Sequence, residues 1–257
     1  MTSAIATERF ARVAAPVVVG IALLATWWVA SGIPLGRTQL IPSPVEVIAS
    51  FVENFGIITE DAFVTGGNAL VGLIAGTVIA VALAGLAVWL RPIDQMTAPL
   101  VAAIAVVPIV ALTPLLNTMF GASSQFGRQI VAGVAAFVPV FINVLRGLRQ
   151  ARQVERDLFT AYGASGGQRF RKLTLPTAMP YLSTGIRIAS SLAVISALVA
   201  EYFGGPADGL GTAIATYSKS GNSALAFAYV GASIIVGLLF FFLTVLLEQL
   251  VVKRKPR

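Results

Sequence analysis

The sequence predicts an all-α membrane protein of about six transmembrane helices. Three observations carry this. Of its 257 residues, 57% are hydrophobic and only 11% charged, and mean hydropathy is +0.86, well outside the range of soluble domains. Apolar runs of about 20 residues, the length that crosses a hydrocarbon core, recur along the chain. Basic residues gather on one side of those runs.

The first predicted span covers residues 13–29 and ends on Trp27-Trp28, residues suited to a membrane interface. No small-residue cleavage site follows it, so it is expected to be retained rather than removed as a signal peptide. The second, 64–90, contains Gly72-x-x-x-Gly76, a spacing that lets helices approach closely. The third, 98–116, is interrupted by Pro108 and Pro114, and the fourth, 130–145, holds Pro139. These prolines mark either kinks around a pathway or span boundaries. The fifth and sixth spans cover 182–200 and 224–252. Residues 1–35 thus form a tail and first span, and 36–257 a core of five spans with a polar loop at 150–178.

With the N-terminus inside, fourteen basic residues fall on the cytoplasmic side: Arg9, Arg12, Arg91, Arg146, Arg149, Arg152, Arg156, Arg169, Arg171, Lys172, Lys253, Arg254, Lys255 and Arg257. Three fall outside, Arg37, Arg128 and Lys219, and Arg187 lies within the fifth span. This positive-inside bias places both termini in the cytoplasm. It also accounts for the high pI without a nucleic-acid partner. The outer side is acidic, with Glu46, Glu53, Glu60 and Asp61 in the first long loop. Within that loop, residues 44–55 have helical apolar spacing and read as a short interfacial helix.

Several chemistries are excluded. The chain has no cysteine and no histidine, which removes thiolate or imidazole metal sites, disulfides and His-activated nucleophiles. Lysine occurs only at 172, 219, 253 and 255, none of them in a Gly-x-x-x-x-Gly-Lys-Ser/Thr phosphate loop. No enzyme activity is expected, and no cofactor in this chain.

The most informative segment is 157–176, a basic amphipathic stretch between two apolar runs that ends on Leu175-Pro176. Apolar residues at Leu158, Phe159, Ala161, Tyr162, Phe170 and Leu173 recur at near-helical spacing, and Gly163, Gly166 and Gly167 break the pattern. The pattern predicts a short helix, a turn and a second short helix along the membrane surface. Such a polar handle is a means by which an outside partner can drive a membrane-buried chain.

Within the spans, an ionisable residue is a functional candidate. Arg187, about 10 Å into the fifth span at 1.5 Å per residue, either snorkels to the inner interface or contacts solute. Glu201, at the outer end of that span, either stabilises an outer gate or sits in water. Asn68, Asn117 and Asn143 either bond between helices or face a translocation cavity. Residues 204–211 read as an outer loop leading into a short re-entrant or interfacial helix at 212–217.

Segment 157–176 resembles the cytoplasmic "EAA" loop of ABC-importer permeases, the membrane subunits of binding-protein-dependent uptake systems. Asp157-Leu158-Phe159 stand where that family has Glu-Ala-Ala, Gly163-Ala164-Ser165 match its glycine step, and Leu173-Thr174-Leu175-Pro176 its ending. Gly185-Ile186-Arg187-Ile188-Ala189 and Ala200-Glu201-Tyr202-Phe203-Gly204 also resemble the family. Ile41-Pro42-Ser43-Pro44 is similar to the start of its nitrate/sulfonate/taurine branch, which includes permeases for thiamine-pyrimidine precursors and riboflavin. Gly66-Gly67-Asn68 departs from the family, where an arginine often sits.

The resemblance implies a type I importer fold in a bacterial inner membrane. It implies a coupling helix built from Asp157, Leu158, Phe159, Ala161, Gly163, Ala164, Ser165, Leu175 and Pro176. It further implies a second copy of this chain, two ATPase subunits that bind ATP and Mg, and an external binding protein. The competing reading is an ion-coupled secondary transporter. Such proteins usually carry ionisable residues near the midplane, whereas Glu201 and Glu248 lie near span ends.

Overall fold

A computed structural model describes residues 2–33, 41–204 and 208–252. All regular structure among them is helical: α1 (Thr2–Ser31), α2 (Pro44–Glu53), α3 (Phe55–Trp89), α4 (Arg91–Val106), α5 (Ile109–Phe120), α6 (Phe126–Leu148), α7 (Gln153–Ala161), α8 (Gly166–Arg169), a π-helical turn (Phe170–Thr174), α9 (Leu175–Phe203), α10 (Leu210–Lys219) and α11 (Ser223–Val252). Arg37 and the basic tail at 253–257 lie outside the described residues.

Among the described residues, four helical stretches are long and apolar enough to cross a membrane: Phe55–Trp89, Phe126–Leu148, Gly166–Phe203 and Ser223–Leu250. The first predicted span corresponds to the apolar part of α1, Val17–Ser31. The third is not one straight helix. It divides into α4 and α5, bent by 93° around Val107-Pro108, and counts as a fifth span if the pair is taken together. The bend has a local cause: Pro108 offers no amide to the helix before it, and its ring disfavours helical geometry at Val107, which is extended at ψ 123°.

Local chemistry sets the other boundaries. Ser43 caps α2 in a reciprocal box, its hydroxyl accepting the Glu46 amide at 3.3 Å and its own amide donating to Glu46 at 2.7 Å. Pro44 sits at the first helical position, where a missing N–H costs nothing. After a break at Asn54, α3 begins at once, so the second span starts nine residues before the expected 64. Its extra length carries Glu60 and Asp61.

The centre of the bundle is α6, packed between α3 and α9. Small residues make this possible. A Cβ at Gly72 would lie 2.5 Å from the Ala132 Cβ and 2.8 Å from the Gln129 carbonyl, and Gly76 faces the Gly133 carbonyl as closely. The Gly72-x-x-x-Gly76 spacing is therefore a true helix-crossing seam. On the opposite side of α6, Gly147 meets Ala178 and Tyr181, while Gly185 of α9 meets Val140 and Asn143. The buried core along these seams is rich in alanine, including Ala69, Ala80, Ala132, Ala136, Ala189, Ala193 and Ala197. Backbones at this range gain dispersion contacts, which matter most in lipid, where water drives no association.

Candidate functional site

Two regions concentrate the functional candidates. At one end of the bundle lies the handle. Helix α7 ends in a Schellman motif: Gly163 sits at φ +64°, its amide donates to the Thr160 carbonyl and the Ala164 amide to Phe159, both at 2.9 Å. Ser165 then caps α8 in a second reciprocal box, receiving the Gln168 amide at 3.3 Å and donating its own to the Gln168 side chain at 2.9 Å. The expected helix, turn and helix are thus present. The second helix does not stop, however; it runs through the π-helical turn into α9. Pro176 explains the widened turn, since its ring crowds the carbonyl four residues back, and the Leu175 amide bonds to Phe170 instead.

Helix α7 exposes an apolar stripe. Val154, Leu158 and Tyr162, four residues apart, are 77%, 53% and 81% exposed. Asp157, Ala161, Gly163, Ser165 and Leu175 are also exposed, while Phe159, Ala164 and Pro176 are half-buried. The stripe is flanked by groups tied to their neighbours: Arg152 to Glu155 at 3.1 Å and Gln153 to Asp157 at 2.9 Å. An ion pair between Asp94 and Arg149 fastens the start of α4 to the end of α6 beside it.

At the other end lies a buried polar clamp. Glu201 is fully buried and does not sit in water. Its Oε2 accepts the Thr65 hydroxyl at 2.7 Å and the Gly211 amide at 3.1 Å; its Oε1 accepts the Asn68 amide at 3.2 Å. Thr65 in turn accepts the Leu210 amide at 2.9 Å, and Asp61 accepts the Gly209 amide at 2.9 Å. Three consecutive amides at the start of α10 are thereby met by side chains of α3 and α9. Two of these are carboxylates at the positive end of a helix. Tyr229 of α11 donates to the other oxygen of Asp61 at 3.0 Å.

Arg128 completes the clamp from α6. The charge count assigned it to an outer loop, yet it is fully buried, because the backbone before α10 returns over it. Its Nη1 donates to Gln125 at 3.0 Å and to the Asp208 carbonyl at 2.8 Å. Its Nε and Nη2, one whole edge of the fork, have no hydrogen-bond partner among the described residues. Gln125 accepts also from Asn68 at 2.7 Å, and Gln129 donates to Asn68 at 3.3 Å.

Of the five pathway candidates, the clamp brings Asn68 and Glu201 together. Asn117 donates to the Gly204 carbonyl at 2.7 Å, tying α5 to the end of α9. Arg187 pairs with Glu248 at 3.0 Å rather than snorkelling alone. Asn143 bonds within its own helix to Pro139 at 2.8 Å and also lines a cleft. That cleft, about 440 Å³, lies between α4, α5, α6 and α9, with Ile104, Ile109, Val138, Leu192 and Ser196 among its walls. Sequence reasoning missed Thr65, Gln125 and Arg128. An arginine two residues before an apolar run was the available signal.

Residues 69–254, most of the chain and both ends of the bundle, match the family described as binding-protein-dependent transport system inner membrane component. The chain belongs to that family. It is therefore an inner-membrane permease of the ABC-importer type, which decides against the ion-coupled carrier.

Among its relatives, this permease is 30% identical to the formylaminopyrimidine transport permease ThiX of Halalkalibacterium halodurans, over 74% of this chain and 75% of that one. It is 29% identical to the riboflavin transport system permease RibX of Chloroflexus aurantiacus, over 96% and 92%. It is 26% identical to the nitrate import permease NrtB of a Synechocystis strain, again over 96% and 92%. In fold it is similar to a chain of the MetNI methionine ABC transporter solved in inward-facing conformations, with a TM-score of 0.65 and 19% identity. That match covers 77% of this permease and 98% of the other chain.

Proposed function

We propose that this permease forms the solute path of an ATP-driven importer, paired with a second copy of itself, driven by two separate ATPase subunits and fed by an external binding protein. The observation that carries the reading is the exposed stripe Val154, Leu158 and Tyr162, presented on a helix that a glycine turn joins to a membrane span. An unpaired apolar stripe on a polar surface fits a groove of a partner protein. That the sequence carries no Gly-x-x-x-x-Gly-Lys-Ser/Thr phosphate loop supports placing ATP and Mg on that partner. The handle and both termini then face the cytoplasm, and the clamp faces outward, in keeping with the placement of the basic residues.

The cleft of about 440 Å³, apolar apart from Asn143 and Ser196, suits a small solute with few charges to match. The transported class we favour is a pyrimidine or riboflavin-like compound, with sulfonate, taurine or nitrate as the second choice. This order follows the relatives ThiX and RibX ahead of NrtB. Reconstitution of the permease with its ATPase and binding protein in liposomes tests the proposal. ATP-dependent uptake of a labelled pyrimidine, riboflavin, taurine or nitrate is the expected result. Uptake by this chain alone, following an ion gradient and indifferent to ATP, would overturn it.

A further inference from the structure

We propose that Arg128 is the positioning residue of the outer clamp: its charge, relayed through the Gln125 amide, holds the buried Glu201 carboxylate in the orientation that grips α10. The inference goes beyond the transport reading, and its test needs no transport.

Both side chains are fully buried, and an isolated charge in such a place is strongly disfavoured. Among the described residues, the groups that donate to the Glu201 carboxylate are all neutral: the Thr65 hydroxyl, the Asn68 amide and the Gly211 backbone. A full positive charge is at hand one side chain further out, on Arg128. The path on hand is short. Arg128 Nη1 and Asn68 Nδ2 both donate to the single oxygen Oε1 of Gln125, and the same Asn68 nitrogen donates to Glu201.

That arrangement also fixes the side-chain amides. With Arg128 in place, Gln125 must turn its oxygen toward Asn68, which leaves Asn68 its nitrogen to offer to Glu201. Without the guanidinium, Gln125 is free to flip, and a flipped amide would set its NH2 against the Asn68 NH2, so that Asn68 keeps its place only through Gln129 and the carboxylate itself. The same Nη1 also donates to the Asp208 carbonyl, so the guanidinium joins Gln125 to the approach to α10.

The cysteine-free sequence makes a direct test possible, since one introduced thiol is unique. Leu210→Cys places it at a fully buried position at the start of α10, and Lys219→Cys at the exposed far end of the same helix. The two thiols are labelled with a maleimide in membranes open on both faces, and the rate at 210 is divided by that at 219. Arg128→Gln raises this ratio about ten-fold or more, because α10 opens locally without its grip. In a Glu201→Gln background the same Arg128→Gln change adds nothing, since the Glu201 charge that the guanidinium positions is already gone.

An unchanged ratio in Arg128→Gln overturns the proposal, as does an equal increase in both backgrounds, which would reflect lost packing alone. Should Arg128→Gln fail to accumulate in the membrane, the amount of protein becomes the readout. Recovery in the double variant supports the proposal. Loss of the double variant while Glu201→Gln alone accumulates refutes it.

Discussion

Arg187, near the middle of α9, and Glu248, in the last turns of α11, form an ion pair of 3.0 Å. Thr184 adds a hydroxyl bond to Glu248 at 3.3 Å, and Ser190 meets Thr244 at 3.2 Å further along. The two charged side chains are 37% and 19% exposed, so the pair is neither a surface contact nor a fully buried one. Changing either partner alone to methionine is expected to lower stability by about 1–3 kcal/mol, between the ranges for exposed and buried pairs. Changing both together should recover most of the loss. Thermal unfolding in detergent, followed by tryptophan fluorescence, measures all three variants.

The α3–α6 seam gives a matched pair of glycine substitutions in one helix. Gly72→Ala drives a Cβ into Ala132 and is expected to cost about 1–3 kcal/mol through overpacking. Gly85→Ala meets nothing within 4 Å and should be neutral or slightly stabilising, since alanine is the better helix former. The same unfolding assay separates them; equal effects would mean that the two helices do not cross where described.

Gly163 stands in open space but at φ +64°. Gly163→Val therefore meets no clash, only backbone strain of about 1–2 kcal/mol or more, while asparagine tolerates that conformation better. The valine variant is expected to insert into membranes normally and to lose uptake, with Gly163→Asn keeping a substantial part. Normal uptake by Gly163→Val would remove the turn from the coupling scheme.

The α7 stripe is exposed, so a charge placed there leaves the bundle intact. Leu158→Asp and Tyr162→Asp are expected to keep the parent melting temperature and to reduce co-purification of the ATPase subunit about ten-fold or more, as for an apolar anchor at the centre of an interface. Pull-down from detergent extracts, beside the unfolding curve, gives both numbers.

Orientation has its own test. Single cysteines at Tyr162 and Lys219, probed in intact cells with a membrane-impermeant maleimide, should react only at 219. Position 162 should become reactive once the membrane is opened. The reverse pattern would invert the topology that the basic residues indicate.

Legibility in the sequence followed the range of the interaction. The apolar spacing at 44–55 announces α2, as do Gly72 and Gly76 the seam and Gly163 the turn of the handle. Each rests on contacts within a few residues or on one helix face. The clamp could not be read this way, because Glu201 meets Thr65 and Asn68 from 136 and 133 residues away. Arg128 was hidden for a related reason. Its place just before an apolar run looks like a loop position until the approach to α10 is seen to cover it. The division of the third span into α4 and α5 was signalled by Pro108, but the 93° angle depends on where neighbouring helices leave room.

The stretch Gly166–Phe203 is 38 residues of nearly continuous helix, about 57 Å at 1.5 Å per residue. Its foot is the handle and its head carries Glu201, with no loop between them to absorb movement. Its regular hydrogen bonding is interrupted near the foot, at the π-helical turn Phe170–Thr174 and at Pro180. It is built as a lever with a short compliant grip and a long stiff arm. On the proposed coupling, a small tilt imposed on the handle would arrive at the head as a displacement scaled by the length of the arm, at the carboxylate that holds α10.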